Sequence, residues 1–236
     1  LLGTTVIIDN RAGANANIAA EFVARAPADG YALWVPAQSQ MEINPSAYTD
    51  LRWKTADFVG VIKGVEAPLV LVVHPSVPAR TLAEMSAWVK ANPGKVSYAS
   101  FSAGTLSHFL AHQLNEKLGL DMPHITYKGS GPQLLDLAAG RVDVTVVNLF
   151  GALPLIKAGK VKPIVNLDER RARTYPDLAT VAEQGIKEYG FYNWLGIAVP
   201  TGTPPAIIER LHGVLATALA GAETRQRLGA LRHLRQ

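Results

Sequence analysis

Four times in this chain a short apolar run ends in small polar residues that open onto a helix-forming stretch. The four places are residues 12–17, 100–105, 129–132 and 148–151. Strand, small polar loop and helix in that order predict an α/β protein with a parallel sheet. In open sheets of this kind, ligands sit at the carboxyl ends of the strands. Helix N-termini there offer unpaired N–H groups and a partial positive charge of about half a unit. Several such termini on one face would hold an anion without an arginine.

The individual elements follow from local pattern. Residues 5–10 and 31–35 read as strands flanking a helix over about 18–25, the first of them buried. Asn15 or Asn17 can cap that helix, and Pro27-Ala28-Asp29-Gly30 stops it. Gln38-Ser39-Gln40 and Asn44-Pro45-Ser46 read as polar loop. Further strands are expected at 58–65, 69–73, 96–100, 124–127, 142–147, 161–166 and 192–199. Helices are expected at 81–91, 106–117, 129–140, 152–158 and 204–220. No internal repeat or low-complexity segment interrupts the series.

Composition narrows the function classes. The 236 residues allow one large domain or two small ones. A charged fraction of 18% against 48% hydrophobic residues excludes a disordered chain. The longest apolar runs fall short of the ~18 residues a membrane-spanning helix needs. There is no cysteine, which removes disulfides, thiolate nucleophiles and Cys-ligated metal sites. The net charge of +4 is a mild excess. Its densest clusters, Arg170, Arg171, Arg173 and the tail Arg225, Arg227, Arg232, His233, Arg235, read as solvated faces, so no nucleic-acid partner is expected. The chain opens with Leu1-Leu2 and shows no basic and apolar leader segment, so no signal peptide is visible in it.

Motifs for catalysis are weak. Ser100-Phe101-Ser102-Ala103-Gly104 resembles a nucleophile elbow, but Ser100 stands where its first glycine belongs. His212 and His233 lie on predicted helices, where a triad cannot use them. His108, His112 and Glu116 share a helix face, yet Phe109 follows His108 and breaks the zinc-protease pattern. A packing or capping role for His108 and an exposed His112 are the expectation. Gly129-Ser130-Gly131 opens like a dinucleotide loop, but Leu134 occupies the third glycine position, and no phosphate-binding P-loop is present. Trp34, Trp53, Trp88 and Trp194 are spread out; Trp88 reads as packing, and Trp194 as packing or lining. No catalytic residue, metal or cofactor is therefore expected.

An ordered set of motifs carries a resemblance. It comprises Val6-Ile7-Ile8-Asp9-Asn10-Arg11-Ala12-Gly13-Ala14 with Asn17-Ile18, Ala28-Asp29-Gly30-Tyr31, Ile43-Asn44-Pro45-Ser46 and Val72-Val73-His74-Pro75-Ser76-Val77-Pro78. It continues through Ala91-Asn92-Pro93-Gly94-Lys95, Tyr98-Ala99-Ser100, Gly104-Thr105 with His108, and Tyr127-Lys128-Gly129-Ser130. It ends with Ile156-Lys157-Ala158-Gly159-Lys160, Pro176-Asp177-Leu178, Thr180-Val181-Ala182-Glu183 and Pro200-Thr201-Gly202-Thr203-Pro204. In this order they resemble the Bug-type periplasmic substrate-binding proteins of tripartite tricarboxylate transporters.

The resemblance implies an α/β, two-lobed, periplasmic-binding-protein-like fold of type II that closes on its ligand. One lobe would be 1–72 plus 194–236, incomplete, and the other 73–193, with a hinge near 69–75 and 191–199. It implies a monomeric periplasmic receptor, not an enzyme, that binds a small carboxylate and hands it to membrane permease subunits. A ligand-sensing domain of the same fold is the alternative. The implied ligand-binding residues are Ala14, Asn15, Asn17, Ser39, Gln40, Ser102, Ala103, Gly104, Thr105, Tyr127, Lys128, Gly129 and Asn148.

Four departures stand out. Asn15 and Ala16 replace a glycine-rich turn, Phe101 and Ser102 replace small residues, and Val147 replaces an acidic residue before Asn148. These point to a less polar pocket, for an aromatic or aliphatic carboxylate. The resemblance also implies a first strand and helix and a C-terminal strand and helix that this sequence is expected to lack. Without that first strand, residues 5–10 and 31–35 are expected to leave backbone groups unpaired.

Overall fold

The computed structural model describes residues 2–11, 13–187, 189, 191 and 193–224. Ala12, Tyr192 and the basic tail Arg225, Arg227, Arg232, His233 and Arg235 lie outside the described residues. In chain order the elements are α1 (Asn17–Ala24), α2 (Asn44–Ala47), β1 (Phe58–Glu66), β2 (Leu69–Val73), α3 (Leu82–Ala91), β3 (Tyr98–Ser100) and α4 (Leu106–Lys117). Then come β4 (His124–Thr126), α5 (Ser130–Ala138), β5 (Val144–Asn148), α6 (Leu149–Lys157), β6 (Lys162–Asn166), β7 (Trp194–Pro200) and α7 (Pro205–Ala220). The chain forms two compact units, Leu1–Glu66 with Trp194–Gln236, and Ala67–Asn193.

The second unit holds a five-stranded sheet in the order β4-β3-β5-β2-β6. Its centre is dictated by β2 and β5, whose continuous Val and Leu runs are buried on both faces. β3 runs parallel to β4 and to β5, with Tyr98 opposite both His124 and Val144. β2 is antiparallel to β5 and β6. Residues 69–72, which the sequence groups with the first segment, are thus the middle of this sheet. The segments entering and leaving the unit are tied together: the Ala67 N–H donates to the Asn193 carbonyl at 2.9 Å, and Asn193 Nδ2 to the Ala67 carbonyl at 3.0 Å.

Side-chain caps set the helix starts here. Thr81 Oγ1 accepts from the Glu84 N–H before α3, and Thr105 Oγ1 from the His108 N–H before α4. Helix α6 begins three residues earlier than the sequence predicts, so Asn148, the last residue of β5, is itself the N-cap. A buried polar network ties α4 and α5 to the sheet. Ser107 Oγ donates to the Val146 carbonyl at 2.6 Å, Gln133 Nε2 donates to Thr145 Oγ1 and the Val146 carbonyl, and Thr145 Oγ1 donates to the Ala99 carbonyl at 2.9 Å.

The first unit differs from expectation. Its only sheet among the described residues is the antiparallel pair β1–β7. Residues 5–10 form no strand, and Val6, Ile7 and Ile8 are 58%, 85% and 77% exposed rather than buried. Residues 31–35 form none either; only Trp34 bridges to Ala198, with reciprocal N–H to carbonyl bonds of 2.8 and 2.9 Å. A β-branched run becomes a strand only beside another backbone that pairs its N–H and C=O groups. The expected parallel sheet is therefore a mixed one, and its parallel ladder, β4-β3-β5, lies in the second unit. The expected polar loop around 38–46 is instead helical, a π-helical turn Ser39–Ile43 running into α2.

Aromatic packing organises this unit. Trp34, Trp53 and Phe58 cluster with ring centroids 4.5–5.8 Å apart, against Ala20, Val23 and Ala198. Helix α7 covers β1 and β7 through Leu211, Ile207 and Ile208. Gly30 makes the turn after α1 possible: its φ is +83°, and a Cβ there would lie 2.4 Å from Ile207 Cγ2.

Replacing Thr145 with valine keeps the volume but strips Ala99 of its donor and Gln133 of one acceptor. We expect Thr145→Val to cost about 1–3 kcal/mol, read as a lower urea midpoint at unchanged m-value.

Candidate ligand-binding site

In the second unit, the parallel pairing of β4, β3 and β5 brings three strand ends to one sheet edge. Each end feeds a helix start: Ser100 leads to α4, Thr126 to α5 and Asn148 to α6. None of these helices carries an acidic residue in its first turn. Their free N–H groups and dipoles leave the edge electropositive. The exposed Lys128 adds a charge beside it.

The loops at this edge are cross-braced. Tyr127 N–H donates to the Ser100 carbonyl at 3.0 Å, and Gly129 N–H to the Phe101 carbonyl at 2.7 Å. The Ser102 carbonyl accepts from both Thr105 Oγ1 at 2.6 Å and Ser100 Oγ at 3.1 Å. Gly104 turns the chain at φ +74°. Its N–H donates to His108 Nδ1 at 3.2 Å, and Ser100 Oγ lies 2.8 Å from His124 Nε2. Burial and then its neighbours His108 and His112 push the His124 imidazole down to about 4. Burial, then His112, also lowers His108. Both rings are neutral at pH 7.

The predicted residues sort by what their atoms already do. Gly104, Thr105 and Gly129 hold the loops. The Tyr127 hydroxyl is spent on Asp136 Oδ2 at 2.8 Å, which Arg141 holds from the other side at 2.6 Å. Burial first, then that bond, pushes Tyr127 up to about 12. Ser102 makes only a 3.4 Å contact to the Ala103 carbonyl and is half-buried; Ala103 is exposed. Asn148 Oδ1 accepts from Asn193 Nδ2 at 3.1 Å, while its own Nδ2 has no partner among the described residues. Val147 does not line an opening, being wholly buried in β5 opposite Val70.

The first unit carries the other predicted group, Ala14, Asn15, Asn17, Ser39 and Gln40. Asn15 Nδ2 donates to Asn44 Oδ1 at 2.7 Å, and Asn44 Nδ2 to Asn17 Oδ1 at 2.7 Å and to the Asn15 carbonyl at 3.1 Å. Gln40 Nε2 donates to Asn15 Oδ1 and Ser39 Oγ, and its Oε1 takes the Ala37 N–H at 2.6 Å. Trp53 Nε1 donates to Asn17 Oδ1 at 3.2 Å, linking the network to the aromatic core. Asn17 Nδ2 is a side-chain donor of this group with no partner among the described residues. Trp194 Nε1 donates to Glu42 Oε1 and its ring lines an apolar recess with Pro36, Met41, Ile62 and Ile197.

Sequence reasoning missed Asn44, Trp53, His124 and Asn193 as organisers. Asn44 had a signal, since Ile43-Asn44-Pro45-Ser46 is one of the resembling motifs. The others act across distances in sequence that no local pattern encodes.

These features define the class: a mixed α/β protein whose second unit gathers three helix starts at one end of its sheet. The family model of the TctC, or tripartite tricarboxylate transporter family, receptor matches residues 1–230, and the chain belongs to that family. It is 33% identical over 220 residues to the protein BugT of Bordetella pertussis, covering 92% of this chain and 68% of that protein. The solved structure of R. palustris Rpa4515 with adipate superposes with a TM-score of 0.90 at 32% identity, over 96% of this chain and 76% of that one. MatC from Rhodopseudomonas palustris with bound malate gives 0.84 at 28% identity, over 92% and 74%. The chain spans about two thirds of the length of its curated relatives. The fold is that of the periplasmic binding proteins of this family, which are solute-binding receptors.

Two outcomes test the local physics. Ala14, Asn15 and Ala16 all have positive φ, of 46°, 50° and 63°. The left-handed region costs a residue with a Cβ about 1–2 kcal/mol. Ala14→Gly and Ala16→Gly should therefore each raise stability by roughly 1 kcal/mol, read by urea denaturation. For the histidines, the folded state disfavours the charged form. Their contribution is complete above pH 6.5 and is lost as pH falls from there toward about 4. The urea midpoint should fall across that window, and His124→Phe should flatten the fall.

Proposed function

We propose that this chain acts as an extracytoplasmic receptor for a small carboxylate, which it delivers to the permease of a tripartite transporter. The observation that carries this reading is the sheet edge of the second unit, where three helix N-termini without first-turn acids meet. A carboxylate there gains charge-assisted bonds from fixed N–H groups and requires no counter-ion of its own. Asn148 Nδ2 adds a donor at that edge. The adipate-bound and malate-bound relatives support the ligand class. Family membership supports a periplasmic setting and the permease as partner. Nothing in this chemistry requires a nucleophile, a proton relay or a cofactor.

The ligand's body is the finer part of the proposal. Phe101 lies half-buried in the loop before α4, and Phe150 is 46% exposed in the first turn of α6. Apolar rings beside carboxylate-binding helix starts favour an aliphatic or aromatic chain over a polyhydroxylated one.

Isothermal titration against adipate, benzoate, malate and citrate tests both parts. We expect adipate or benzoate to bind, with a melting temperature that rises with ligand concentration. Binding of hydroxylated acids alone would refute the apolar preference, and no binding by any carboxylate would refute the ligand class. Asn148→Asp keeps the acceptor for Asn193 but places a negative charge at the edge. It should lower affinity at least about tenfold, the loss of one charge-assisted bond of ~1.5–3 kcal/mol.

A further inference from the structure

The turn over residues 101–104 has no regular structure, yet two imidazoles grip it at both ends. His124 of β4 stacks on His108 of α4, with centroids 4.0 Å apart and planes 11° from parallel. It also stacks on Tyr98 of β3 at 4.9 Å. The edge of each imidazole is bonded to the loop. Ser100 Oγ donates to the Ser102 carbonyl, so it accepts from His124, which must carry its proton on Nε2. His108 Nδ1 accepts from the Gly104 N–H, so its proton also sits on Nε2. One neutral tautomer of each ring satisfies the whole arrangement.

The His108 bond does not survive a second proton, whereas His124 keeps its Nε2–H bond to Ser100 Oγ when Nδ1 is protonated. An imidazolium has N–H donors at both nitrogens, and a protonated His108 no longer accepts from Gly104. A charge on either ring also lies face to face with its partner at 4.0 Å. The other titratable groups around the stack do not relieve this. His112, on the same helix as His108, is exposed with its ring 6.3 Å away and adds like charge when protonated. Glu116, further along α4, acts on the Tyr98 hydroxyl, which burial and that carboxylate hold neutral.

We propose that His108 and His124 are positioning residues of the ligand site, a stacked neutral clamp that shapes the Ser100–Gly104 turn and releases its Gly104 end, with loss of carboxylate affinity, when His108 is protonated. The affinity part rests on the carboxylate reading above; the clamp itself does not. The clamp turns an otherwise pH-indifferent site of backbone N–H groups into one that weakens in acid.

Amide and imidazole resonances of the 15N-labelled chain, titrated without ligand from pH 7.5 to 3.5, test the clamp directly. In the wild type the Gly104 amide should shift in step with the His108 imidazole while near-UV circular dichroism stays native. In His108→Phe that shift should vanish. His124→Phe, which keeps a stacked ring and removes one titrating group, should make the Gly104 transition a single step. Adipate titrations at pH 7 and at the acid end of the His108 imidazole transition test the affinity part. The wild type should lose more affinity between the two than His108→Phe does; protonation of the ligand is common to both and cancels. A Gly104 amide that stays still while the imidazoles titrate overturns the clamp. A constant wild-type to His108→Phe affinity ratio, or wild-type binding that gains relative to the variant in acid, overturns its link to the site. Should adipate bind at neither pH, the carboxylate reading for adipate fails, and the Gly104 titration alone decides the clamp.

Discussion

The parallel pairing of β3 with β4 and β5 is the constraint from which the binding edge follows. Parallel neighbours end on the same side of the sheet, so the helices that follow them must start there. Three dipoles then add where a single helix start would be an ordinary terminus. β2 shows the contrast. It is antiparallel to β5 and β6, and the chain after it departs from the opposite edge, toward Thr81 and α3. The burial of β2 and β5 fixes the register, because slipping either strand by one residue would exchange the faces on which its side chains pack.

An edge made of loops must hold those loops without ladder hydrogen bonds. The two units solve this differently. The second uses stacked rings and hydroxyls that capture one carbonyl, that of Ser102. The first uses amides: Asn44 takes the Asn15 carbonyl and the Asn17 carboxamide with a single NH2 group. That network offsets the strain of three successive left-handed residues, a conformation that glycine would adopt freely. The replacement of a glycine-rich turn by Asn15 and Ala16, visible in the sequence as a departure from the resembling family, thus has a structural counterpart. Asn15 gains two side-chain bonds that glycine cannot make.

Most of the second unit was legible because its signals are local. Thr81 and Thr105 announce helix starts, Asn92-Pro93-Gly94 announces a stop, and the buried Val and Leu runs announce central strands. The first unit was less legible for one physical reason. Residues 5–10 and 31–35 have strand composition, but strand formation depends on a partner backbone that composition does not supply. Ser39–Ala47 was misread in the opposite direction, since polar side chains that face a hydrogen-bond network look like a solvated loop. For the site, the loop positions could be named from the pattern of strand ends, but not the division of labour among their atoms. Tyr127 looked like a ligand group, and its hydroxyl is committed to Asp136. His124 looked like the first residue of an edge strand, and it braces the turn.

Under the proposed carboxylate reading, that division lets the second unit's sheet end take an anion with so little charge of its own. Groups that make strong, directional bonds within the protein cannot also desolvate a ligand. In the second unit Thr105 is paired with the Ser102 carbonyl, Tyr127 with Asp136, His124 with Ser100 and His108 with the Gly104 N–H. What remains in the second unit for the proposed ligand is backbone N–H groups and the Asn148 amide, fixed in place before binding. Preorganised dipoles of this kind require no side-chain ordering when the carboxylate arrives. A buried lysine or arginine in the same place would add Coulombic attraction, at the cost of an uncompensated charge when no ligand is bound. A receptor that must both capture and release its solute is better served by the weaker, rigid donors, and its selectivity then falls to the apolar surface around them.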